Sequence, residues 1–166
     1  MRIYFITSKL NFTTSGGSPI EFDIMMRELQ KLGNEVIAVT PFSNANDIPE
    51  PLQYKLIEKN IGPRGLIGIQ AGIFKILREY SSDADFFYVD GQLGLYGTGL
   101  YRILGGKVPV SAYFIREMVC WGEGEANPRS EIEKNFLIKL REKIRFYIER
   151  YIGVPIANHI DLMGFT

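Results

Sequence analysis

The feature that most constrains this chain is the regular change in the kind of apolar run along it. Short runs of Ile, Val, Phe and Tyr, apolar on both sides, alternate with longer stretches whose apolar residues recur every three or four positions. Arg2–Thr7 is the first short run, and a strand apolar on both faces belongs inside a parallel sheet. A polar loop with two glycines follows, Ser8–Gly17. Ser18 then has the character of a helix cap, Pro19 suits the first helical position, and Glu21 completes a capping box. Ile20, Ile24, Leu29 and Leu32 supply helical spacing, and Gly33 ends the helix. Glu35–Thr40 reads as the next strand, closed by Pro41.

The alternation continues. Tyr54–Ile57 is a short strand, and Leu66, Ile69, Ile73, Ile76 and Tyr80 mark a helix. Asp85–Val89 is a strand, Leu93–Leu104 a glycine-rich helical segment, and Val108–Ile115 a further strand. After one long loop, Val119–Arg129, a long helix is expected from about Glu131 to Ile152, with Ser130 and Glu133 in capping-box spacing. Val154–Ala157 is expected as the last strand. Strands alternating with helices imply right-handed βαβ units, and hence an α/β, three-layer, Rossmann-like parallel sheet with helices on both faces. The 166 residues suit one such domain, 1–166. Ligands of these sheets bind at the carboxyl ends of the strands. That rule selects the loops after Thr7, Thr40, Val89 and Ile115.

Composition narrows the function classes. Lys+Arg and Asp+Glu both number 19, and a nucleic-acid partner would need a basic excess for phosphate contacts. Cys120 is the one cysteine, which excludes an internal disulfide and a cysteine-based zinc cluster; no metal is expected. No apolar run reaches the ~18 residues of a membrane span, and the opening MRIYFITSKL turns polar too soon for a signal peptide. The reading is a cytoplasmic soluble domain, with contact at the inner membrane surface left open. That contact would fall to the long helix, where Lys134, Lys139, Arg141, Lys143, Arg145 and Arg150 border an apolar stripe of Phe136, Leu137, Leu140, Ile144, Tyr147 and Tyr151. Glu131, Glu133, Glu142 and Glu149 dilute the charge, so core packing of the stripe is the expectation.

Three segments carry the residue types of a binding site. Thr14–Ser18 joins Gly16 and Gly17 to a helix N-terminus, whose free N–H groups suit an anion or sugar hydroxyls; the alternative is a flexible turn with a good cap. Its spacing is not G-x-G-x-x-G, and there is no Walker loop. Asp90-Gly91-Gln92 puts a carboxylate and an amide at a strand end, or else forms a βα turn capped by Asp. Gly97 and Gly99 weaken the following helix, by about 1 kcal/mol each against Ala, and suggest close packing on the sheet or a ligand. Arg116 and Glu117 follow an apolar strand into the cleft, as ligand groups or as a buried ion pair. Trp121 can stack on a sugar ring or fill the core. His159, the single histidine, cannot build a metal site alone and is expected at the surface or satisfied in the core. No catalytic residue is assigned.

In order and spacing these segments resemble the N-terminal domain of the retaining GT-B glycosyltransferases, the family of glycogen synthases, sucrose-phosphate synthases and lipopolysaccharide or mannosyl transferases. The resemblance covers essentially the whole chain. It rests on MRIYFIT as first strand, SGGSPIEF as loop and helix start, and LGNEVIAVTP, which is similar to the family's "L-x-x-x-G-H-E-V". It continues in ADFFYVDGQ, KVPVSAYFIRE and VPIANHIDL, which look like the later strands. It implies that Gly16, Gly17 and Ser18 lie against a donor diphosphate or the acceptor. It sets Gln92 and Arg116 at or near substrate-handling positions, and Asp90, Glu117 and Trp121 join them as expected substrate contacts from their place after the strands. Where family members often place site histidines, this chain has Val89-Asp90 and Arg116, which puts histidine-dependent acceptor handling in doubt.

The resemblance further implies a hexosyltransferase-type enzyme. It would move a sugar from a nucleotide-sugar co-substrate to a hydroxyl of a carbohydrate or lipid-linked acceptor, with retained configuration and no cofactor or metal. Most of the nucleotide site would come from a C-terminal donor-binding domain, in cis or in trans, so this domain alone should be inactive. The competing expectations are a stand-alone, non-catalytic ligand-binding or regulatory module and a nucleotide-sugar epimerase; the missing dinucleotide fingerprint weighs against the latter.

Overall fold

The computed structural model describes residues 1–7, 10–13, 17–41, 46–48, 51–59, 61, 66–114, 140, 143–144 and 146–165. Among them the order is β1 (Arg2–Ile6), α1 (Gly17–Lys31), β2 (Glu35–Thr40), β3 (Lys55–Glu58), α2 (Leu66–Tyr80), β4 (Phe86–Asp90), α3 (Gly91–Ile103) and β5 (Val110–Phe114). A π-helical turn (Glu149–Gly153), a short helix α4 (Val154–Ala157) and β6 (Leu162–Phe165) follow. The strands form one parallel sheet in the order β3-β2-β1-β4-β5-β6. This is the α/β, Rossmann-like architecture that the alternating runs imply.

Side-chain alternation along the strands builds the two larger cores among the described residues. Tyr4 and Ile6 of β1 join Ile37, Val39, Phe87, Val89 and Val110 beneath Ile73, Ile76 and Leu77 of α2 and Tyr101 of α3. Ile3 and Phe5 point the other way and meet Val36, Ala38, Phe22 and Met26 of α1. So α1 covers one face and α2 and α3 the other, as right-handed crossovers require when the chain moves first to one side of β1 and then to the other. α1 and α3 both end in Schellman turns, with Gly33 and Gly105 at φ 83° and 85°. The Gly33 and Asn34 N–H groups donate to Gln30 and Leu29, and those of Gly105 and Gly106 to Arg102 and Tyr101.

Three expectations need correction. Val154–Ala157 is helical, not a strand; Pro155 in its first turn has the helical φ built in and no N–H to give a sheet. The last strand is instead Leu162–Phe165. Second, α1 is rotated from the face that Ile20, Ile24 and Leu32 suggest: these are 45%, 55% and 78% exposed, whereas Phe22 and Met26 are buried and Leu29 partly so. The aromatic stripe prevails because it buries more area and because Phe22 meets Tyr88 edge-on at 5.9 Å. α1 also begins at Gly17, so Ser18 lies inside its first turn rather than before it. Third, the stripe of the long helix is not packed into the core. Leu140, Ile144, Tyr147 and Tyr151 are exposed. Residues 131–139, including Phe136 and Leu137, lie outside the described residues.

The amino edge of the sheet is fastened by ion pairs. The Arg2 guanidinium pairs with Glu35 at 2.7 Å and with Asp83, which also accepts the Tyr4 hydroxyl. Farther along, Asp161 accepts from Arg102 at 2.8 Å and from the Val110 N–H at 2.9 Å, fixing the approach to β6 beside the start of β5.

Candidate functional site

The strand order reverses between β1 and β4, because the chain leaves β1 toward β2 and leaves β4 toward β5. Their following helices depart on opposite faces, so the carboxyl ends of these two strands open a crevice. Ile6 is in register with Val89. Thr7 and Asp90 are therefore the next residues along two neighbouring strands, and Asp90 is in register with Tyr113 of β5.

Two helix N-termini flank this point. α1 starts at Gly17, and α3 starts at Gly91 directly after β4, with no intervening loop. Each first turn has unpaired backbone N–H groups and a positive dipole end. Gln92, expected in a loop, thus belongs to the first turn of α3, and Asp90 stands immediately before that helix. A carboxylate there suits either a ligand hydroxyl or the helix's own N–H groups. The structure brings Gly17, Ser18, Asp90 and Gln92 to one end of the sheet. Gly16, Arg116, Glu117 and Trp121 lie outside the described residues. The last three follow β5, the neighbour of β4.

Beneath the crevice, on the α1 side, Phe5, Ile6, Thr7, Phe22, Met26 and Tyr88 line a recess of about 180 Å³ counted out to solvent. It is too narrow for a water molecule, so it forms an apolar floor on which the site rests.

The loop after Thr40 was a candidate as well, but it is tied internally. Asn46 donates to the Thr40 hydroxyl at 2.9 Å and to the Glu58 carboxylate at 2.6 Å, and accepts the Leu10 N–H at 2.8 Å. Phe12 and Leu10 exchange backbone bonds with Asp47, whose carboxylate accepts the Thr13 hydroxyl. One carboxamide thereby joins the ends of β2 and β3 to the loop after β1. Sequence reading misses Asn46 because its three partners are far apart in sequence; the turn-rich stretch around it is the sole signal.

Further from the crevice, the Tyr54 hydroxyl donates to Asp23 of α1 at 2.8 Å, and Arg27 lies 2.8 Å from the other oxygen of that carboxylate. Burial, then the hydrogen bond to Asp23, pushes the Tyr54 hydroxyl well above the usual tyrosine range. At the amino edge, Asp83 is held below the ordinary carboxylate range by the Tyr4 hydroxyl and then by Arg2.

The α3 glycines have a packing reason. A Cβ on Gly97 would lie 2.3 Å from the Gln70 backbone oxygen, one on Gly99 2.1 Å from that of Ile156, and one on Gly94 2.5 Å from Val89. The Gly97 N–H donates to the Gln70 side chain at 2.7 Å. Helix backbones approach here as side chains would forbid, so the ligand alternative is not needed for Gly97 and Gly99. His159 is exposed in the turn ahead of β6. That puts it at the amino edge, the end opposite the crevice. Among the described residues, no three His, Cys, Asp or Glu side chains gather as a metal site would need, and no helix is long and apolar enough to cross a membrane.

A comparison with models of known protein families gives no match, and neither does one with curated proteins.

Proposed function

We propose that the chain is the acceptor-side half of a glycosyltransferase that passes a sugar from a nucleotide-sugar donor to a hydroxyl acceptor with retained configuration. The observation that carries the reading is the pair of glycine-bearing helix starts, Gly17 and Gly91, on either side of the strand-order reversal. Backbone N–H groups at glycine-bearing helix starts suit a diphosphate or sugar hydroxyls. In the complete enzyme a donor domain would face this edge, and the helix dipoles would stabilise the leaving diphosphate without a metal. The similarity of SGGSPIEF and LGNEVIAVTP to the GT-B pattern supports the same reading.

The test is NMR titration of the labelled chain with a panel of glycosides and nucleoside diphosphate sugars. Weak binding that shifts the amides of residues 17, 18, 20 and 91–94 is the expected result, with Gly17→Val abolishing the shifts while the remaining spectrum persists. Tight, saturable binding by the chain alone would instead identify a self-sufficient ligand-binding module. Shifts confined to other parts of the sheet would remove these helix starts from the site.

A further inference from the structure

The helical stretch ending in the π-helical turn is oriented against the usual rule. Its apolar residues Leu140, Ile144, Tyr147, Ile148, Tyr151 and Ile152 are 43%, 51%, 47%, 51%, 66% and 56% exposed. Steps of four, three, one, three and one residues confine them to one band, about 140° wide on a 3.6-residue helix. The opposite side turns inward: Glu149 is 3% exposed, and Gly153 is buried with the Tyr96 ring where its Cβ would be. A carboxylate is withdrawn while large apolar side chains face out, and such a contiguous exposed stripe marks a surface that meets something.

The chemistry around the stripe identifies what it meets. Lys143 and Arg150 are exposed, and the Arg150 guanidinium lies 5.9 Å from the Phe146 ring and 6.0 Å from that of Tyr151. The Tyr147 and Tyr151 rings are stacked nearly parallel, 6.1 Å apart at 9°. Residues 140–152 carry Arg141, Lys143, Arg145 and Arg150, and with Glu149 buried the one other acid is Glu142. Four cations against two carboxylates leave the segment with a basic excess. An apolar band bordered by cations and amphipathic tyrosines is the pattern of a helix lying in a lipid–water interface. A second copy of the chain would instead bring this basic segment against itself with too few carboxylates to answer it.

We infer that this face docks on an anionic lipid surface. Leu140, Ile144 and Ile148 enter the boundary between head groups and acyl chains, the tyrosines lie among the head groups, and Lys143 and Arg150 pair with lipid phosphates. The inference stands independently of glycosyl transfer.

The experiment is co-sedimentation of the full chain with phosphatidylglycerol–phosphatidylcholine vesicles and with phosphatidylcholine vesicles alone. Binding to the anionic vesicles at least about tenfold tighter than to the neutral ones, and weakened in about 0.5 M salt, is the expected result. Ile144→Glu and the double change Lys143→Glu with Arg150→Glu each reduce binding about tenfold or more. Leu32→Glu, at an exposed apolar residue in the turn after α1, leaves it unchanged; circular dichroism checks that all variants fold. Three results overturn the inference: no preference for anionic vesicles, equal loss on Leu32→Glu, or a dimer in solution that Ile144→Glu disperses.

Discussion

Replacing Gly97 by Ala sets two effects against each other, and the structure decides between them. In a helix interior Ala is the better residue by about 1 kcal/mol. The added Cβ, however, would lie 2.3 Å from the Gln70 backbone oxygen and 3.1 Å from its carbonyl carbon. Real Cβ atoms essentially never come within 3.0 Å of such an atom, so α2 and α3 must part by at least ~0.7 Å along that line. A backbone carbonyl within a helix cannot swing aside as a side-chain tip can. Overpacking of this kind costs about 1–3 kcal/mol, and the displacement strains the 2.7 Å bond from the Gly97 N–H to Gln70, worth about 1 kcal/mol. After the helix-propensity gain, the variant should be less stable by about 1–3 kcal/mol. Urea unfolding followed by circular dichroism measures this as a lower midpoint at unchanged slope. In thermal unfolding each kcal/mol should lower Tm by roughly 2–4 °C for a chain of this size. A Gly97→Ala variant as stable as the parent, or more so, would refute the close-approach account of α3.

Three further outcomes follow from the polar contacts. Tyr54→Phe leaves the buried Asp23 carboxylate short of a donor and should cost about 1–3 kcal/mol. The folded Tyr54 hydroxyl titrates above its ordinary value of 10.0, so its contribution is complete below that pH and lost as pH rises through the folded value. The parent should thus lose stability more steeply in alkali than Tyr54→Phe, as chemical unfolding across the alkaline range will register. Asp83 titrates below its ordinary value of 3.8, so its contribution is present above that pH and lost as pH falls through the folded value. Asp83→Asn should be less stable than the parent at neutral pH, with the difference closing in acid. Asn46→Leu removes all three bonds of the carboxamide, should cost about 1–3 kcal/mol, and should speed hydrogen exchange at the Leu10 amide, measured by NMR.

The central strands were legible because their physics is local. Arg2–Ile6, Glu35–Thr40 and Phe86–Asp90 are apolar runs, the latter two bounded by Pro, Asp or Gly, and their burial on both faces leaves few alternatives. Leu66–Tyr80 was legible through its 3.6-residue period. Short runs were harder: Val154–Ala157 reads as apolar in either conformation, and Pro155 should have counted against a strand. α1 has two apolar stripes, and which one faces inward depends on whether Phe22 or Ile24 finds partners on the sheet, a tertiary matter. The same holds for the stripe from Leu140 to Tyr151, whose residues the sequence names but whose orientation is set by Gly153 seating on Tyr96. Of the candidate site, the strand-end rule alone puts Gly17, Ser18, Asp90 and Gln92 at the end of the sheet where the structure has them. Asn46 was not, since no spacing encodes a carboxamide that serves three separate segments.

The glycines of α3 also make that helix a mechanical element. Through Gly97 it rests on the Gln70 carbonyl of α2, and through Gly99 on the Ile156 carbonyl of α4. Contacts between backbones have no rotamers in which a displacement can be lost. Anything that seats on Gly91 and Gln92 at the head of α3 therefore pushes on a stiff rod, whose far side bears on α4 and, one residue earlier in the chain, on the π-helical turn that carries Tyr151. A ligand that displaced α3 would carry these contacts with it, and any coupling between the two ends would then be mutual.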